Sequence, residues 1–297
     1  MTTTPQVARL FDAAFLAKLD RLALITKRAV AGELQGERRS PKRGASVEFA
    51  DFKQYVAGDD FRQIDWNLYA RMERFYLKLF VAEEELTVHL LVDTSRSMEW
   101  GDPNKLLYAK RTAGAMGYIA LSNLDRITLT AFGQPRDTRL PPQRSKRGVV
   151  PLFNFLTELQ PGGATRFAEV CRRYAQTATN PGPLLLCSDL MDEEWQSGLQ
   201  ALLARRFEIT VLHTLAPQEI NPQLEGDVRL VDAEGGPPVD LTADLDLIQR
   251  YQRNLESWRD EIGEYCNARG ISYVPIETSY PIEDLLLNLL RRRGIVR

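Results

Sequence analysis

The alternation of apolar and polar positions changes rhythm at residue 86. Before it, Phe11, Phe15, Leu19 and Leu22 fall at helical spacing and predict an amphipathic helix over 6–31, docked on its own domain. Residues 32–48, "GELQGERRSPKRGASVE", have no period and read as a loop. "FADFKQYVAGDD" predicts a strand entering a Gly-Asp turn, "IDWNLYARM" a short helix and "FYLKLF" a second strand. From 86 the alternation is regular. Strands "LTVHLLVD", "RITLTAF", "PLLLCSD", "FEITVLHTL" and "ISYVPIE" are separated by helical stretches over 102–124, 149–159, 166–178, 193–206 and 244–269, and a last helix covers 281–293. Asp102 is the expected cap of the first of these helices, with Pro103 at the first helical position. The Pro/Gly-rich stretch 221–241 predicts a small hairpin. Strands that are apolar throughout need cover on both faces, which makes the sheet parallel. The expected fold class is therefore α/β: a doubly wound, mostly parallel sheet with helices on both faces over 86–297, preceded by an α+β extension over 1–85.

Composition narrows the function by exclusion. A net charge of −2 over 297 residues gives no global field toward nucleic acid or anionic lipid. The basic stretches Arg38, Arg39, Lys42, Arg43 and "PRDTRLPPQRSKRG" lack interleaved aromatics to stack bases and read as solvated loops. Cys171, Cys187 and Cys266 cannot all pair and show no C-x-x-C spacing, which fits a reducing compartment. No apolar run reaches the roughly 18 residues of a membrane span, and Arg9, Asp12, Lys18, Asp20 and Arg21 break up any signal-peptide core. The expected location is cytoplasmic. His89 and His213 fall inside strand patterns and read as structural.

One stretch resists a purely structural reading. In "LLVDTSRSMEW" the apolar strand ends on Asp93, followed by Thr94, Ser95 and Ser97. Such residues suit a capped turn, and equally half of a metal site. A second apolar strand ends alike, on Ser188-Asp189, and the glycine-rich "QPGGATRF" between them offers Thr165. In an open α/β sheet ligands bind beyond the carboxyl ends of the strands, where strand order reverses. Asp93, Ser95, Ser97, Thr165 and Asp189 can converge there. All five offer oxygen, which suits Mg²⁺ or Mn²⁺ with waters completing the shell and one position left for an acidic group from outside. A metal-assisted phosphatase using Asp93 is the alternative. Its general acid belongs two residues on, where Ser95 stands, and a hydroxyl serves poorly in that role. The chain also lacks G-x-S-x-G, H-E-x-x-H, G-x-x-x-x-G-K-[ST] and G-x-G-x-x-G, so an enzyme is not expected.

The Asp93-x-Ser95-x-Ser97 series with a following Thr165 and Asp189 resembles the metal-ion-dependent adhesion site of von Willebrand factor A domains. The resemblance implies that Ser95, Ser97 and Thr165 ligate the metal, while Asp93 and Asp189 bind it or orient its waters. The loop reads "GGAT" here against the family's plain "GGT". Upstream, Tyr55, Gly58-Asp59, Arg62, Ile64-Asp65-Trp66 and Ala70-Arg71 resemble the bacterial family catalogued as domain of unknown function fifty-eight. That resemblance implies a von Willebrand factor A-like core and a MoxR-type AAA ATPase as partner, acting in assembly, maturation or stress-related remodelling of other proteins. Within the series, Arg62, Asp65 and Trp66 read as a buried ion pair beneath a packed indole.

Overall fold

A computed structural model describes residues 11, 13–22, 47–56, 59, 61–82, 86–134, 136–163 and 166–295. Most of the loop expected over 32–48, both ends of the helix expected over 6–31, and Thr165 lie outside the described residues. The chain divides into two compact units, Met1–Ala29 with Leu86–Arg297, and Val30–Glu85.

The larger unit is built on six strands: β3 (Thr87–Asp93), β4 (Arg126–Phe132), β5 (Thr138–Arg144), β6 (Pro183–Ser188), β7 (Glu208–Leu215) and β10 (Ser272–Glu277), in the order β10-β7-β6-β3-β4-β5. Every neighbouring pair is parallel except β4–β5. From β3 the chain winds one way to β4 and β5, then returns to the other side for β6, β7 and β10. The fold is thus doubly wound, with its switch point between β3 and β6. All seven residues of β3 are buried. Leu90 and Val92 face one core, with α1 (Ala13–Leu19), α3 (Lys105–Ser122), α4 (Val149–Glu158) and the C-terminal helix α9 (282–292, π-helical over Leu285–Leu289). Leu91 faces the other core, with α5 (Phe167–Thr177), α6 (Trp195–Ala204) and α8 (Leu245–Ala268). Phe11, Phe15, Leu19 and Leu22 are buried as their spacing predicts, and Phe11 meets Phe153 edge-on at 5.7 Å.

Two elements depart from the sequence reading. The "solvated" stretch "PRDTRLPPQRSKRG" contains β5, an edge strand whose Pro141 and Pro142 sit where its register against β4 shifts. Prolines are tolerated there because an edge strand has a side with no ladder to supply. At the opposite edge, the Tyr273 carbonyl of β10 accepts from Arg293 Nη1 at 2.8 Å, Pro275 has no N–H, and the Glu277 carbonyl accepts from Tyr280 N at 2.9 Å. The second departure is at α3, where the cap is Asn104, accepting from Leu107 N at 2.9 Å, and not Asp102. Asp102 is tied instead to Gln218, donating through its N–H at 3.2 Å and accepting at its carbonyl at 2.7 Å. A short helix, α7 (Pro217–Ile220), and the hairpin β8 (Gly226–Leu230) with β9 (Val239–Ala243) complete this unit.

The smaller unit pairs β1 (Val47–Gln54) antiparallel with β2 (Tyr76–Ala82), and between them runs α2 (Trp66–Met72). Asp65 caps α2, accepting from Asn67 N at 2.9 Å and Leu68 N at 3.3 Å. The expected packed indole is corrected. Trp66 is 61% exposed and Arg62 is exposed too. α2 buries none of its residues. Trp66 instead stands edge-on to Tyr69 and Phe75, which stack on each other at 4.4 Å.

Candidate metal centre

β3 leaves the sheet on Asp93, whose side chain is fully buried. Its Oδ1 accepts from Ser95 N at 2.9 Å, which turns the chain, and its Oδ2 accepts the Ser188 hydroxyl at 2.6 Å. The ladder pairs Val92 with Cys187, so Asp93 and Ser188 emerge side by side at the switch point. Ser188 Oγ in turn accepts from Leu190 N at 2.9 Å. The buried Ser95 and half-buried Ser97 present hydroxyls 3.0 Å apart. Thr94 faces elsewhere and ties the turn to β4 by donating to the Phe132 carbonyl at 2.7 Å.

Two glycines let three loops meet here. Gly133 has φ +113°, and a Cβ on it would lie 2.3 Å from Ser95 N. Gly163 has φ +78°, and its Cβ would lie 2.0 Å from the Gly133 carbonyl oxygen. The loops are then stitched by Gly162 N donating to the Thr94 carbonyl at 2.8 Å and Arg96 N to the Gly163 carbonyl at 3.2 Å. Only glycine permits this combination of backbone angle and approach.

Asp189 follows the last residue of β6 and is also buried. Its Oδ1 accepts from Met191 N at 3.3 Å, its Oδ2 from Lys105 Nζ at 2.8 Å, and its backbone carbonyl from His213 Nε2 at 3.0 Å. Lys105 is 1% exposed and also pairs with Glu219 Oε1 at 2.5 Å. Burial pulls the Lys105 pKa down, but Asp189 and Glu219 more than reverse this and hold it above the ordinary lysine value. For Glu219 burial dominates and raises the carboxyl, with Lys105 opposing. Burial likewise pushes Asp93 up to about 7, and the charge of Asp189 adds to it; the bonds from Ser188 and Ser95 pull back only part.

The structure therefore brings Asp93, Ser95, Ser97 and Asp189 to one end of the sheet, while Thr165 falls outside the described residues. Three participants escaped the sequence reading as partners of the site: Ser188, Lys105 and Glu219. Ser188 had a signal, since it precedes Asp189 at the strand tip. Lys105 and Glu219 stand 114 residues apart and had none.

The donor set fits a hard divalent cation. Three carboxylates and one ammonium in this buried cluster leave two negative charges when all are ionised, and burial together with the charge of Asp189 raises the Asp93 carboxyl. Two adjacent hydroxyls with lone pairs to spare complete the oxygen character of the site. Among the described residues no group of three His, Cys, Asp or Glu side chains could hold a metal alone, so the hydroxyls are essential to this reading.

Comparison with known proteins places the chain as follows. The profile of the family described as "Protein of unknown function DUF58" matches residues 51–261. The uncharacterized protein Rv1480 of Mycobacterium tuberculosis is 24% identical over 294 residues, covering 95% of this chain and 92% of its own length. The uncharacterized protein Mb1516 of Mycobacterium bovis matches to the same extent. Among solved structures, the conserved hypothetical protein BatB from Bacteroides thetaiotaomicron is 16% identical with a TM-score of 0.44, covering 70% of this chain and 98% of that one. A von Willebrand factor type A protein from Catenulispora acidiphila is 16% identical with a TM-score of 0.35, covering 46% of this chain and 35% of that one.

Proposed function

We propose that this chain, which belongs to the DUF58 family, is a protein-interaction module whose binding depends on Mg²⁺ or Mn²⁺ and on an acidic residue of its partner. The observation that carries the proposal is the buried Asp93 carboxyl beside the paired Ser95 and Ser97 hydroxyls at the switch point, with the buried Asp189 at the tip of the neighbouring strand. Ser95 and Ser97 would supply ligand oxygens, joined by Thr165 from the adjoining loop. Asp93 and Asp189 would neutralise the charge and, through their occupied oxygens, orient its waters. A bound cation supplies one incompletely compensated position, which a partner's carboxylate fills with a charge-assisted and geometrically strict contact. The MoxR-type AAA ATPase implied by the family resemblance is the first partner to test, together with its client protein.

The phosphatase alternative is weaker because an enzyme of that class places its general acid two residues past the nucleophile, where Ser95 stands. Among the described residues no helix is long and apolar enough to cross a membrane.

The test uses the purified chain and a purified MoxR-type ATPase from the same cell, in Mg²⁺ and in EDTA. Wild type should bind Mn²⁺ by calorimetry and bind the ATPase only with metal present. The Ser95→Ala/Ser97→Ala chain should lose both while keeping its fold by circular dichroism. Undiminished ATPase binding in EDTA would sink the metal-dependent reading.

A further inference from the structure

Lys105 is placed at unusual cost. It is the first residue of α3, where the helix dipole disfavours a cation, and its ammonium is buried. An apolar side chain there would avoid both penalties. What the lysine does instead is join the loop after β6 to the distant helix α7. On one side it donates to Asp189 Oδ2, on the other to Glu219 Oε1, while Glu219 Oε2 is fixed by Ala216 N at 2.7 Å. The Gln218–Asp102 backbone pair holds α7 against the segment that leads into α3. Among the described residues, the side-chain bond left to Asp189 without Lys105 is the long 3.3 Å contact from Met191 N.

We propose that Lys105, braced by Glu219, is the positioning residue of the metal centre: it fixes the rotation of the Asp189 carboxylate so that this group meets the cation's shell. The inference rests on the metal reading above. Partners of this kind behind a ligand shell typically change metal affinity by 10–100-fold when removed.

Charge and position make opposite forecasts, which allows a clean test. Lys105→Met deletes a positive charge beside the site, so electrostatics alone would tighten cation binding. Lys105→Met/Glu219→Leu deletes one charge of each sign, the positive one nearer the site, so electrostatics alone would leave affinity unchanged or slightly tighter. Positioning requires both variants to bind Mn²⁺ about tenfold more weakly or worse, measured by calorimetry on chains shown to be folded by circular dichroism. The double variant leaves fewer buried charges unpaired and decides the matter if the single variant does not fold. Tighter binding by the single variant, or wild-type affinity in the double, overturns the inference while the metal reading stands. A wild-type chain with no Mn²⁺ affinity overturns the metal reading and this inference together.

Discussion

His89 and His213 are buried neutral imidazoles, and their surroundings explain why. His89 meets Tyr174 Oη at 2.6 Å, Thr128 Oγ1 at 3.1 Å and the Asn180 carbonyl at 3.1 Å, with Phe207 edge-on at 4.9 Å. His213 meets Tyr273 Oη at 2.7 Å and the Asp189 carbonyl. Burial lowers each from 6.5 to about 4, with the bonded carbonyls opposing. A depressed pKa means that the stability of the neutral form is intact above 6.5 and is lost as pH falls from 6.5 toward 4. Asp93, at about 7, and Asp125, raised by burial to about 6, run the opposite way, gaining stability as they take up protons over that window. The two trends oppose in the wild type, so the useful measurement is a difference. Between pH 7 and 4.5, urea unfolding of wild type should lose roughly 2 kcal/mol more stability than His89→Gln. Equal pH slopes would show that His89 is not held neutral.

At the scale of elements, the site depends on backbone that approaches too closely for any side chain. Gly133→Ala should destabilise the protein by about 2 kcal/mol or more and weaken Mn²⁺ binding, because the new methyl meets the Ser95 backbone in a left-handed conformation. A thermal melt and a titration of one sample read both effects. These elements also show what the sequence made legible. The apolar runs through Leu90–Val92 and Leu184–Cys187 mark strands buried on both faces, and a carboxylate at each tip marks where they stop. β5 stayed hidden because its prolines and arginines carry a loop's composition, and only its edge position makes it a strand. Trp66 invited a reading as core because tryptophan is usually well buried, yet α2 keeps its indole outside. The Lys105–Glu219 contact was illegible for a different reason: nothing local in "NKLLYAK" or "APQEI" says that the two meet.

On the scale of the whole molecule, the loops at the carboxyl ends of the strands carry two large, partly exposed apolar side chains. Trp100, whose N–H closes the turn onto the Ser97 carbonyl, is 50% exposed, and Met191, two residues past Asp189, is 41% exposed. Partly exposed tryptophans are frequent anchors of interfaces. Trp100→Ala should weaken ATPase binding about tenfold or more, measured by surface plasmon resonance, and shift Mn²⁺ affinity much less. A Trp100→Ala chain that binds its partner normally would move the contact elsewhere. The two outer strands of the main sheet impose a further condition. Pro141 and Pro142 interrupt one border, and Pro275, Arg293 and the Tyr280 turn occupy the other. Both borders are thereby blunted, which disfavours β-strand addition and fibre growth from the margins of the six-stranded sheet. Copies of this chain brought close together therefore meet at blunted sheet edges rather than at open ladders ready to zip.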